Sequence, residues 1–130
     1  MNRNPKQEWI IWWALWVAFL EGILVIYYFL SRSASAEGGS SEAPLWVLGY
    51  VPALVSVVIR WWVLPRLRTA QTALVCFLLG ISMAEASCFL GIFLFPAQKQ
   101  ALFWVSVVGI LQFAPYYAGR YINPRSGDDR

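Results

Sequence analysis

The chain contains no histidine, only two cysteines, and only 13% charged residues across 130 positions. Without histidine, and with its cysteines isolated at Cys76 and Cys88, it does not assemble the usual donor set of a zinc or iron centre. Twelve residues on one helix separate those cysteines by about 18 Å, so they cannot bridge within the chain and are expected to pack as small apolar side chains. Aspartate occurs only at Asp128 and Asp129. No His-Glu-x-x-His motif and no serine or cysteine nucleophile beside a base is present, so no enzyme chemistry, cofactor or metal is expected. The low charge also excludes a disordered chain and falls well below the roughly 25% of soluble domains. The net charge is only +3, with basic residues scattered between apolar runs, so nucleic-acid binding is not expected.

What the sequence has in quantity is hydrocarbon: 59% hydrophobic residues, with aromatics at 17%. Four apolar runs stand out, at 9–30, 45–64, 72–95 and 101–119. The first, Trp9 to Leu30, is broken only by Glu21 and as a helix reaches about 33 Å, enough to cross a bilayer core. Leu45 to Leu64 carries Arg60 near its end, Thr72 to Phe95 carries Glu85, and Ala101 to Gly119 follows a turn at Pro96–Gln100. The expected fold is an all-α antiparallel bundle of four transmembrane helices forming one domain over 1–130. Residues 31–44, rich in serine, glycine and alanine, read as a flexible external loop. Residues 120–130 read as a polar cytoplasmic tail.

Orientation follows from lysine and arginine. With the N-terminus in the cytoplasm, Arg3, Lys6, Arg60, Arg66, Arg68, Arg120, Arg125 and Arg130 fall on the cytoplasmic side and only Arg32 and Lys99 on the other. Eight against two is a positive-inside bias that places both termini in the cytoplasm. Trp9, Trp12, Trp13, Trp61, Trp62, Tyr116, Tyr117 and Tyr121 gather at the cytoplasmic ends, as an interfacial belt requires. The expected location is a multi-pass position in a membrane, of the bacterial inner-membrane kind. A rival reading takes Ala34-Ser35-Ala36 as a signal-peptide cleavage site. A 22-residue run containing Glu21 is long for that, and the first helix is expected to stay.

The two intramembrane glutamates are the candidate chemistry. Glu21 lies 12 residues past Trp9 and Glu85 13 past Thr72, on helices running the same way, so both carboxyls fall near mid-depth. A charge there costs about 2.5–3.5 kcal/mol on insertion scales. If the two face each other they can share one proton. They read either as ion- or proton-binding groups or as interhelical glue, with Ser56, Ser82, Ser87, Ser106 and Gln112 as available polar partners. Arg60 is expected to snorkel to the headgroups rather than pair with a glutamate. Pro115, after Gln112, is positioned to kink the fourth helix and free carbonyls.

Small residues mark expected helix contacts: Ala14, Ala18 and Gly22 in the first run, Gly80, Ala84, Cys88 and Gly91 in the third, Gly49, Ala53 and Ser56 in the second. Glu21 lies about 60° from the centre of its stripe and Glu85 about a third of a turn from its own.

The segment Gly80-Ile-Ser-Met-Ala-Glu85-Ala-Ser-Cys-Phe-Leu-Gly91-Ile-Phe-Leu-Phe95 resembles the carboxyl-bearing helix of the rotary-ATPase proteolipids, the c subunits. The resemblance implies that Glu85 binds a translocated proton or sodium ion. It is confined to residues 80–95. The preceding run carries Trp46 and Pro52 where that family has a glycine-rich helix, and the first and fourth runs are additional.

Two functions are therefore expected to compete. The favoured one is a structural or accessory membrane component, associating with lipid, with itself or with a membrane-protein partner. The alternative is a proton- or cation-handling oligomer using Glu85 and Glu21.

Overall fold

The computed structural model describes residues 5–33 and 44–122, which are helical nearly throughout and contain no strand. The expected loop at 34–43, the Ala34-Ser35-Ala36 triplet and the tail beyond 122 lie outside the described residues. Helix α1 spans Pro5–Ser33, α2 Val51–Val58, α3 Ala70–Phe93, α4 Lys99–Leu111 and α5 Gly119–Ile122. Three helical stretches are long and apolar enough to cross a membrane: Lys6–Arg32, Leu45–Arg66 and Ala70–Phe93.

The second of these is one rod with three pitches. A 3-10 segment over Pro44–Tyr50 gives way to α2, then to a π turn over Ile59–Val63 and a 3-10 turn over Leu64–Arg66. Prolines stand at two of these changes. Pro52 has no N–H to donate in the first turn of α2. Pro65 cannot bond back to Trp61, and the turn ahead of it widens so that the Leu64 N–H reaches Ile59 O.

The fourth apolar run departs from the expected single helix over 101–119. Its helix stops at Leu111 after 13 residues, about 20 Å of rise, and is not among the three long enough to span. The cause is Pro115. Its ring drives Ala114 into an extended conformation, φ −48° and ψ 127°, and the chain resumes as a 3-10 turn at Pro115–Tyr117 and then α5.

α3 is the central element, with α4 and α2 packed along it and α1 lying across α3 and α4. Gly80, Ala84, Cys88 and Gly91 are all buried; α4 comes close at Ala84 and Gly91, while Gly80 lies against Phe113 beyond the end of α4 and against Ile59. A Cβ on Gly109 would lie 2.8 Å from that of Ala84, and one on Gly91 would lie 3.0 Å from Leu102. Backbones this near are the geometry that small residues permit. Gly49 of the second run meets Leu102 in the same way.

The first-helix stripe behaves differently. Ala14 and Ala18 are exposed, and nothing lies within 4 Å of a Cβ built on Gly22. Among the described residues no neighbouring helix packs closely on this stripe. Large side chains take the inner face of α1 instead. Trp12 sits 4.9 Å from Phe77 and stacks parallel to Tyr121, while Tyr27 stacks on Phe103 at 3.9 Å. Each such ring buries far more apolar area than an alanine, so the aromatic face wins the contact.

The outside of the bundle is apolar. Trp61 is 63% exposed, Trp62 66% and Phe93 63%. In water such a surface promotes association; in hydrocarbon it is an ordinary lipid face.

Candidate functional site

The polar side chains of the helices converge on the break in the fourth run. Past Leu111 the helical ladder fails: Tyr116 N bonds to Ala114 O, at 2.8 Å, so Gln112 O loses its helical donor. Arg60 Nε donates to that carbonyl at 2.7 Å. The guanidinium lies over the Tyr117 ring, 4.2 Å from its centroid, and 5.4 Å from that of Trp61. Gln112 Nε2 in turn donates to Ser56 Oγ at 3.4 Å. Trp16 Nε1 donates to Ile110 O at 2.9 Å from the other side, so α1, the second run and α4 are tied at one level.

Three further ties use the same chemistry. The buried Ser87 Oγ accepts from Ala53 N at 3.1 Å and so caps α2 from a neighbouring helix. Tyr121 donates to Leu64 O at 2.5 Å. At the opposite end Lys99 Nζ donates to Ser31 O at 3.0 Å, satisfying a terminal carbonyl of α1. Ser106 bonds back to Leu102 O in its own helix.

Of the expected site residues, the structure brings together Arg60, Gln112 and Ser56. It leaves Ser82 exposed and apart. Among the described residues Arg60 has no glutamate partner, and it is half-buried at the helix break rather than exposed. The two carboxyls do not face each other. Glu21 is exposed, about half a turn from the Trp12–Ile23 line that meets α3 and α4. Glu85 is half-buried at the edge of the inner face of α3. Among the described residues neither carboxyl has a hydrogen bond or ion pair.

Sequence reasoning missed Trp16, Tyr121 and Lys99 as carbonyl-binding groups, and offered Ser87 as a partner for the glutamates rather than for the Ala53 amide. The signal available was proline: Pro52, Pro65 and Pro115 each mark a place where a backbone group loses its helical partner. Among the described residues no group of three Cys, Asp or Glu lies close enough to hold a metal ion.

Comparison of the chain with protein families, curated proteins and solved structures finds no match.

Proposed function

We propose that the protein is a structural or accessory component of a membrane, of the bacterial inner-membrane kind, that crosses the bilayer four times and associates with a second copy of itself. Both termini lie in the cytoplasm in this reading, with residues 99–122 crossing as a broken fourth segment. The observation that carries it is how the polar groups are spent. Arg60, Gln112, Ser56, Ser87, Trp16 and Tyr121 all hold backbone or one another across helices, and no chain of polar side chains links Glu21 to Glu85 among the described residues. A translocation pathway needs such a chain or a wet cavity.

The outward face of α1 is the self-association surface. Glu21, Ala14, Ala18 and Gly22 share it, and no neighbouring helix among the described residues packs closely on them. A carboxyl facing lipid at mid-depth is costly, whereas two such faces related by a two-fold axis bring the backbones close and let each carboxyl find a partner. The test is mass in detergent and in nanodiscs. The parent should be a dimer or larger. Gly22→Leu, which fills the stripe where no described residue is touched, should shift it to monomer, and a monomeric mass for the parent removes this surface from consideration.

The second reading, ion handling at Glu85, draws on its half-buried carboxyl with no hydrogen bond and on the proteolipid resemblance of residues 80–95. It requires flux that depends on Glu85 in proteoliposomes.

A further inference from the structure

A groove of about 330 Å³ runs between the second run and α4, lined by Tyr50, Ala53, Leu54, Val57, Trp104, Val105, Val108, Gly109 and Gln112. It opens to the outside of the bundle, since Leu54, Val57, Trp104 and Val108 are all exposed. Its size falls at the lower end of the range of small-molecule sites, roughly 300–1,000 Å³. The eight rises from Trp104 of α4 to Gln112 just past its end give it a length of about 12 Å. The walls are apolar except at the Gln112 end, and there the charge is one-sided. Arg60 reaches Gln112 O through Nε alone, and its two terminal nitrogens donate to no described residue. Tyr117, under the same guanidinium, has a buried hydroxyl with no hydrogen-bond partner among the described residues. Among the described residues no carboxylate pairs with Arg60, which is not itself a lining residue but, bonded to Gln112 O, sets a cation beside the Gln112 end of the groove.

We propose that this groove holds one acyl chain of an anionic phospholipid, with the phosphate on the Arg60 guanidinium. The inference rests on the membrane reading above and adds a ligand class to it. Three features of the geometry favour a lipid over other occupants. A guanidinium with two donors to spare is the side chain that recognises phosphate in a fork. The arginine stands at the level of Trp61, Trp62, Tyr117 and Tyr121, the aromatic belt where headgroups lie, and the groove runs from there toward the middle of the bundle. Basic pockets between membrane helices are the recurrent setting for anionic headgroups. A zwitterionic lipid fills the apolar part equally well but brings its own cation to the arginine, so the charge sets the selectivity.

The experiment is native mass spectrometry of the full chain in a neutral detergent, titrated separately with phosphatidylglycerol and phosphatidylcholine. One phosphatidylglycerol should bind per chain, more tightly than phosphatidylcholine by about tenfold. Arg60→Gln should abolish that preference. Arg60→Lys, which keeps the charge but loses the fork, should retain part of it. Val108→Trp fills the groove from its exposed side and leaves Arg60 intact; it should reduce binding of both lipids while the circular dichroism and melting temperature stay unchanged. Equal binding of the two lipids to the parent, or a preference that survives Arg60→Gln, overturns the inference. Carbonate extraction of the cell membranes separates its failure from that of the reading beneath it. A chain that is extracted overturns both, whereas an integral chain without lipid preference overturns the lipid site alone.

Discussion

Arg60 shows at residue scale what the sequence conveys and what it withholds. Its place one turn inside an apolar run is visible in the sequence, and snorkelling is the generic expectation for such a residue. The acceptor it uses is not visible, because Gln112 O becomes available only when Pro115 breaks a helix 52 residues away in sequence. Trp16 is similar: nothing in an aromatic-rich run distinguishes the indole that reaches Ile110 O from its neighbours Trp12 and Trp13. Trp16→Phe keeps the ring packing and removes the donor. It should cost about 1 kcal/mol in equilibrium unfolding from mixed micelles, the net worth of one hydrogen bond. Glu85→Gln should change stability by no more than about 0.5 kcal/mol, since no partner is lost. It should also leave proteoliposome ion flux at the parent's level. Flux that is present in the parent and vanishes in Glu85→Gln would sink the accessory reading and establish the ion-handling one.

Small-residue stripes are equally plain in α1 and α3 by sequence, yet at the scale of elements only one is used inside the chain. Periodicity gives the stripe, but which face meets a neighbour depends on what else the helix carries. α3 has small residues along much of its buried line, so α4 comes in on Ala84 and Gly91, and the Phe113 ring that follows α4 sits on Gly80. α1 has Trp12, Trp16, Phe19 and Tyr27 on one side, and that side takes the core. The difference is testable with one substitution in each helix. Gly80→Ala sets a methyl against the buried ring of Phe113, with Ile59 behind it at 3.2 Å. The overpacking should cost about 1–3 kcal/mol. Gly22→Ala meets nothing and replaces a poor helix former, so stability should hold or rise, by up to about 1 kcal/mol. Thermal unfolding of the two variants side by side reads the contrast. Equal losses would mean that α1 packs through its stripe after all.

For the whole molecule, the apolar runs and their helical state were legible from composition and length alone, because hydrocarbon solvent leaves a chain few options besides helix. The continuity of the fourth run was not legible. Hydropathy scores Leu111 to Gly119 as apolar whether or not the backbone holds its ladder, and Pro115 decides that it does not. This makes the side on which the C-terminus lies the decisive measurement. The three helices long enough to span would, alone, leave the chain beyond Phe95 on the side opposite the N-terminus. Four crossings return it to the N-terminal side. The charges argue for four: Arg120, Arg125 and Arg130 would otherwise follow a crossing to the face that carries only Arg32 and Lys99. The ties at the break argue the same way. Tyr121 bonds to Leu64 O and stacks on Trp12, and both of those lie at the ends of their runs nearest the basic turn at Pro65–Arg68. In the four-crossing reading residues 99–122 travel the full depth of the bundle as α4, a 3-10 turn and α5, with Phe113, Pro115, Ala118 and Tyr121 of the irregular part buried against protein and Tyr116 turned outward. Reporter fusions at the N-terminus, after Arg68 and at the C-terminus should all read cytoplasmic, and an insertion at Gly38 external. A C-terminal reporter that reads external, with the other three as expected, would reduce the fold to three crossings and leave α4 as a re-entrant segment.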